Sequence, residues 1–236
     1  MLILFRAMKL RALISSGLLC LLPCLACVAA AQQTEQKPEP PAAKKNARPA
    51  GEAEAAEPFD KMTPEQMAGR CVTLETEAGD ILIEVLSEAA PESARNFLNL
   101  AALGAFDTTT FSRVVRDFVV QGGNVATRET LTQELIRRAS RKVPDEPNPV
   151  KHLRGVVSLA RPAEANAATT HFFILLNDSP HLDGTFAAFG RVRTGMEVVD
   201  KIAAGELDGE KPKHPVRIRR AAVAMCRPPA PAQPGQ

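Results

Sequence analysis

Apolar residues recur along this chain with two different periods, and the switches between them mark its elements. Alternation over 71–76 (Cys-Val-Thr-Leu-Glu-Thr) and 80–86 (Asp-Ile-Leu-Ile-Glu-Val-Leu) predicts two strands, joined as a hairpin at Glu77-Ala78-Gly79. Further short runs rich in Val, Phe and Ile predict strands over 110–115, 118–121, 155–160, 170–176, 186–192 and 216–225. A spacing of three to four residues replaces the alternation over 91–106, where Ala94, Phe97, Leu98, Ala101 and Ala105 form one stripe. Pro91 at its first position and Gly104 near its end bracket a helix that packs its stripe on the sheet. A second helix is expected over 196–204, between Thr194 and Gly205. A more polar segment, 130–141, places Leu131, Leu135 and Ile136 on a helical period and ends in Arg137, Arg138, Arg141 and Lys142. It reads as a solvated surface helix whose cations suit the negative end of its dipole. A proline-rich loop follows over 144–149, and His181-Leu182-Asp183-Gly184 reads as a turn. Eight short strands and two well-marked helices predict a mostly β barrel or sandwich with peripheral helices.

The flanks have another character. Within 1–31, Arg6, Lys9 and Arg11 precede an apolar run over 13–28 and the small residues Ala29-Ala30-Ala31, the pattern of an export signal cleaved before Gln32. Leu25-Ala26-Cys27 partly resembles a lipobox, which offers the alternative of a lipid anchor tethering the protein to a membrane. An uncleaved anchor is a third alternative, although the run is short and interrupted by Pro23. Each places the remainder outside the cytoplasm, in the periplasm or cell envelope. Residues 32–69 read as a linker: 32–58 consists mostly of Ala, Pro, Glu, Lys and Gln with almost nothing to bury, and 59–69 carries a short helix with Thr63 as cap and Pro64 next. The folded domain is expected over 70–227, with a disordered Pro-rich tail over 228–236.

Composition narrows the chemistry. The 236 residues include 19 Pro and 10 Phe but no Trp or Tyr, so Phe and the aliphatics must line any core or pocket. A net charge of +2 without a basic stripe interleaved with aromatics argues against nucleic acid as a partner. Removal of the signal would leave two of five cysteines, Cys71 and Cys226, at the start of the first strand and the end of the last. In an exported protein such a pair suggests a disulfide, provided the two strands are antiparallel neighbours; two unrelated thiols are the alternative. His152, His171, His181 and His214 lack metal-ligand spacing, so neither metal nor cofactor is expected. Ser112 and Ser158 lack the flanking glycines of a nucleophile elbow, and no phosphate-binding glycine loop occurs.

One stretch stands out, F-S-R-V-V-R-D-F-V-V-Q-G-G over 111–123. Alternation would place Phe111, Arg113 and Val115 on one face of the first strand, and Val119 with Gln121 on one face of the second. Gly122-Gly123 must be a turn or bulge. On the residues alone, Arg113 is either an outward strand residue paired with a carboxylate such as Asp117, or a cation displayed on an apolar surface for a ligand.

Across 72–223 the chain resembles the cyclophilin family of peptidyl-prolyl isomerases. The blocks that carry the resemblance are 111–123, G-V-V-S-L-A followed by T-H-F-F-I between 155 and 174, and L-D-G-T-F-A-A-F-G-R-V over 182–192. The resemblance implies a closed eight-stranded antiparallel β-barrel capped by two α-helices, with prolyl peptides bound on its outer face. It implies Arg113 as the catalytic arginine and Gln121 as the residue that holds the substrate backbone. Phe118, Val119, Phe173 and Leu182 would be walls of the proline pocket, and Ala160 and Arg161 would line the neighbouring subsite. His181 and Phe186 fall at the pocket rim, where they depart from the family pattern, as do Ser112 beside the arginine and His171 before the two phenylalanines. The implied activity is peptidyl-prolyl cis-trans isomerisation in the folding of exported proteins, by a monomer acting on proline-containing polypeptides. A binding module without catalysis is the alternative.

Overall fold

The computed structural model of the chain describes residues 56–226. The export signal expected over 1–31 with its three cysteines, the linker over 32–55 and the tail over 228–236 lie outside the described residues.

Local chemistry accounts for the first elements. Strands β1 (Arg70–Thr76) and β2 (Gly79–Val85) pair antiparallel in a hairpin. The Thr76 hydroxyl organises its turn, donating to the Gly79 carbonyl at 2.5 Å and accepting from Ala78 N at 3.1 Å. Before them, α1 (Pro64–Met67) is a single turn closed by a capping box between Thr63 and Gln66. Residues 56–69, read from composition as the end of a linker, pack on the domain instead. Phe59 and Met67 are buried, and Arg95 Nη1 donates to the carbonyls of Phe59 and Met62, both at 2.6 Å.

Helix α2 (Pro91–Ala102) buries the expected stripe and stops short of 106, because Gly104 turns the chain with a φ of +65°. Its N-terminus has no cap from its own chain neighbour. Glu146, from the proline-rich loop, accepts from the backbone N–H of Glu92 and Ser93 at 2.9 and 2.7 Å, which ties that loop to the positive end of the helix.

The remaining strands are β3 (Arg113–Val115), β4 (Val119–Gly122), β5 (Val156–Leu159), β6 (Phe172–Leu175), β7 (Ala188–Thr194) and, after α4 (Met196–Ala203), a small hairpin of β8 (Leu207–Asp208) and β9 (Lys211–Pro212), then β10 (Ile218–Met225). Eight of them form one antiparallel sheet in the order β10-β1-β2-β7-β5-β6-β4-β3. The sheet curls into a half-barrel, and the closed barrel expected above is not realised as a ladder. Its two ends meet at one bridge, Thr110 with Arg217, and at a few backbone bonds such as Phe111 N to Val216 O at 3.0 Å. The physical reason is the turn after Phe106: Asp107 Oδ1 accepts from Ala221 N at 2.8 Å, so a side chain takes a place on β10 that a strand would fill.

Helices α2 and α4 pack on the sheet. Inside the curl, Phe97 meets Phe106, Phe172 and Phe189 at centroid distances of 5.2, 5.3 and 4.9 Å, and Phe111 lies against Phe172. These five rings supply the bulk that Trp and Tyr would otherwise provide.

The 130–141 segment forms the expected surface helix, except that one of its cations is buried. Helix α3 spans Gln133–Ala139 behind the Thr132 cap, with Leu131 and Ile136 exposed at 41% and 42% and Arg138 buried at 5%. Arg138 forms a two-pronged ion pair through Nε and Nη2 with Glu57, 81 residues earlier, and that partner makes its burial tolerable.

Candidate active site

Strand register assembles the site. Arg113 on β3 faces Gln121 on β4, Gln121 faces Phe173 on β6, and Phe173 faces Ser158 on β5, so four residues lie in one transverse row. Alternation sends Val114, Val120, Phe172 and Ile174 into the core and Arg113, Gln121 and Phe173 to the opposite face. Phe111 does not share the face of Arg113, contrary to the sequence pattern: the strand begins only at Arg113, and Phe111 turns fully into the core.

On this outer face a second apolar cluster forms, separate from the core. Val119, Val156, Phe173, Leu175, Leu182 and Ala188 make its floor, with Phe118, Ala160 and Phe186 partly buried around it. Phe173 and Phe186 stand edge to face at 5.8 Å, and Phe118 lies 5.5 Å from the exposed His181 ring. Arg161 places its guanidinium 5.2 Å over Phe186 and lies 3.4 Å from Asp145, so it covers the rim without entering the basin. An aromatic and aliphatic surface of this kind suits the apolar pyrrolidine ring of proline.

A string of polar groups borders the basin. Arg113 Nε donates to Glu210 Oε2 at 2.7 Å, Arg113 Nη1 to Gln121 Oε1 at 3.3 Å, and Gln121 Nε2 lies 3.3 Å from His171 Nδ1. Glu210 sits at the tip of the β8–β9 hairpin, whose backbone also accepts from Val114 N at 2.8 Å. Asp117, the carboxylate near Arg113 in sequence, is not its partner; it occupies the β3–β4 turn with a φ of +60°. Gly123 fixes the other end of the string. With a φ of +82°, a Cβ there would stand 2.2 Å from the Thr170 carbonyl, so only glycine lets β4 end against the residue that precedes His171.

The family description "cyclophilin type peptidyl-prolyl cis-trans isomerase/CLD" matches residues 71–223. The chain belongs to this family of cyclophilins. Peptidyl-prolyl cis-trans isomerase cypE of Dictyostelium discoideum is 35% identical over 157 residues, which cover 66% of this chain and 98% of that one. Peptidyl-prolyl cis-trans isomerase A of the bacterium Dickeya dadantii is 33% identical over 64% of this chain and 83% of its own length. Among solved structures, a cyclophilin-type isomerase of Cryptosporidium parvum, crystallised in the presence of the dipeptide Ala-Pro, matches with a TM-score of 0.58 and 26% identity over 65% of this chain and 98% of that chain. The chain is thus a cyclophilin-type peptidyl-prolyl cis-trans isomerase, and the outer-face row is its candidate active site.

Beside this cyclophilin basin lies a group that carries no nucleophile-elbow glycines. His152 Nε2 lies 3.1 Å from Ser158 Oγ, and His152 Nδ1 lies 3.2 Å from Asp183 Oδ1. The carboxylate requires Nδ1 to carry the proton, so Nε2 accepts from the serine. The arrangement resembles a hydrolytic triad, yet Ser158 and His152 are fully buried and no acyl group can reach them. It ties Ser158, the β5 partner of Phe173, to His152 and Asp183 on two separate loops. Burial pushes the His152 pKa down, against Asp183, which pulls it up. Asp183 itself is held at about 2, first by the backbone N–H of His152 and then by Lys151.

These shifts fix a pH dependence. Below about 6.5 the unfolded chain takes up a proton at His152 that the folded chain binds only at lower pH. His171, lowered by burial, acts in the same sense. Stability should therefore fall as pH drops below about 6.5 and stay level above it, with a further loss from Asp183 between its ordinary value of 3.8 and about 2. Urea midpoints at mildly acidic and mildly alkaline pH check this; equal midpoints would contradict it.

Among the described residues, no group of three or more His, Cys, Asp and Glu side chains is placed to hold a metal ion. Glu210 is the site residue that sequence reasoning missed. The Asp208-Gly209 dipeptide is a hairpin signal that could have located its loop, but nothing local indicates the contact with Arg113. Glu210→Gln should lower kcat/KM about threefold, the share of a partly exposed ion pair. Unchanged kcat/KM would leave Gln121 alone as the group that aims the guanidinium.

Proposed function

We propose that Arg113 accelerates X–Pro rotation by stabilising the twisted amide of a proline held in the basin of Val119, Phe173 and Leu182. Amide resonance sets a barrier of about 18–20 kcal/mol, and twisting the bond returns a lone pair to the prolyl nitrogen. A cationic donor beside that nitrogen favours the twisted state over both planar isomers, and the apolar surroundings strengthen the bond. The observation that carries this reading is the anchoring of Arg113. Nε is held by Glu210 and Nη1 by Gln121, which leaves Nη2, with no partner among the described residues, at the edge of the basin. No bond is broken, so neither nucleophile nor metal is required.

The Ala-Pro dipeptide named for the Cryptosporidium relative supports proline-containing polypeptides as the substrates here. We further propose that the protein works outside the cytoplasm, on exported polypeptides, free or tethered through its N-terminal segment. The 1–31 pattern supports this, as does a Cys71–Cys226 disulfide, a bond suited to an oxidising compartment. An isomerisation assay on an X–Pro peptide tests the activity, and a rate equal to the uncatalysed one would overturn it. The mass of the mature N-terminus after fractionation tests the location.

A further inference from the structure

We propose that His171 is a positioning residue that sets the amide of Gln121, so that the isomerase site is competent when His171 is neutral and impaired when it is protonated. The inference rests on the reading of Arg113 as the group that serves the twisting amide.

Hydrogen-bond direction carries the argument. An arginine side chain has donors and no acceptor, so the Gln121 atom 3.3 Å from Arg113 Nη1 must be the amide oxygen. The amide nitrogen therefore faces His171 Nδ1, at 3.3 Å. That nitrogen has two hydrogens and no lone pair to offer, so Nδ1 accepts, and the imidazole proton sits on Nε2. One hydrogen of Gln121 is then committed to His171 and the other is left to reach a substrate carbonyl.

Protonated His171 presents N–H at both ring nitrogens and meets the Gln121 N–H as donor against donor. Turning the amide over to serve His171 would put its NH2 against the Arg113 guanidinium, which also only donates. Either way one contact is lost, and with it the single orientation in which Gln121 and Arg113 support each other.

The backbone that carries the ring is pinned on both sides. The His171 carbonyl accepts from Ala160 N at 2.9 Å, and the preceding Thr170 is bound to Gly123 O at 2.7 Å. Strands β4, β5 and β6 carry no charged side chain. The charged groups on the neighbouring elements are Arg113 on β3, Arg128 and Glu129 on the segment after β4, Asp208, Glu210 and Lys211 on the β8–β9 hairpin, and Arg161 and Glu164 on the β5–β6 connection. His181, the other imidazole of the site, stacks on Phe118. Burial keeps His171 neutral to lower pH than a free imidazole, consistent with the acceptor role that its partners require.

The test compares kcat/KM for an X–Pro peptide at about pH 5 and about pH 8, in a His181→Gln background so that one imidazole of the site titrates. With His171 present the ratio should fall about tenfold towards acid, the cost of one unsatisfied bond to a charged group. With His171→Gln, whose amide can turn to suit either partner, the fall should be under about twofold. An equal acid limb in both proteins would overturn the proposal. Nitrogen NMR supplies a second readout: His171 should carry its proton on Nε2 at alkaline pH, and the Gln121 side-chain amide should shift with the same titration. A proton on Nδ1 would overturn the proposal. This readout does not depend on Arg113 being catalytic, so retained activity in Arg113→Ala would remove the catalytic reading while leaving the tautomer result in place.

Discussion

Arg113→Ala is expected to lower kcat/KM for an X–Pro peptide by about 100- to 1000-fold, the range seen when one preorganised donor to a developing charge is removed. The loss should fall on kcat more than on KM. On the proposed reading, proline binding rests on Val119, Phe173 and Leu182, which the substitution leaves intact, whereas the guanidinium meets its best partner only when the amide twists. Folding should hardly change, because Arg113 is 41% exposed and its pair with Glu210 lies at the surface. A melting temperature near that of the wild type would separate loss of chemistry from loss of structure. Arg113→Lys should recover only part of the rate. A single ammonium cannot bond to Glu210 and Gln121 and still present a third donor from a fixed plane. If Arg113→Ala kept kcat/KM within about threefold of the wild type, electrostatic stabilisation by this residue would be ruled out, since even one weak hydrogen bond contributes about that much.

How much of this was legible in the sequence depends on how local each signal is. The β1–β2 hairpin and α2 follow from alternation, a turn glycine, Pro91 and an apolar stripe, all within a few residues; the strand bounds moved by one residue and α2 ended four residues early. The basin residues Phe118, Phe173, Leu182 and Phe186 entered as candidates through the family blocks, because residues scattered over four segments share a face only once the register is known. What was not legible came from distant partners. Glu210 reaches Arg113 across 97 residues, Glu57 buries Arg138 across 81, and Asp107 displaces a ladder contact on β10 across 114. Each is a side-chain carboxylate used in place of the nearest charge or the nearest strand, and neither periodicity nor propensity carries that information. The His152–Ser158–Asp183 group escaped for another reason. A glycine signature around a serine identifies an exposed nucleophile, and Ser158 is fully buried.

The second large effect concerns the Cys71–Cys226 disulfide, which closes a separation of 155 residues between the start of β1 and the residue after β10. In the folded chain it adds little geometry. Arg70 already pairs with Met225 in the β1–β10 ladder, and Cys226 N donates to Gly69 O at 2.8 Å. Its effect lies in the unfolded chain, whose ends it holds together. For a loop of this length the entropy model gives about 5 kcal/mol, large against a total stability of about 5–15 kcal/mol. Cys71→Ala with Cys226→Ala, or reduction of the wild type, should therefore lower the melting temperature by about 10–20 °C, taking about 2–4 °C per kcal/mol for a domain of this size. Because the bridge joins β10 to β1 while the site is built on β3, β4, β5 and β6, kcat/KM measured well below the transition should stay unchanged. A melting temperature that does not respond to reduction would mean that the unfolded chain is already compact enough to hold these ends together. A loss of kcat/KM at low temperature would mean instead that tension at the β1–β10 edge reaches Arg113 through the Thr110–Arg217 bridge and the backbone bonds beside it, where the two ends of the curled sheet meet.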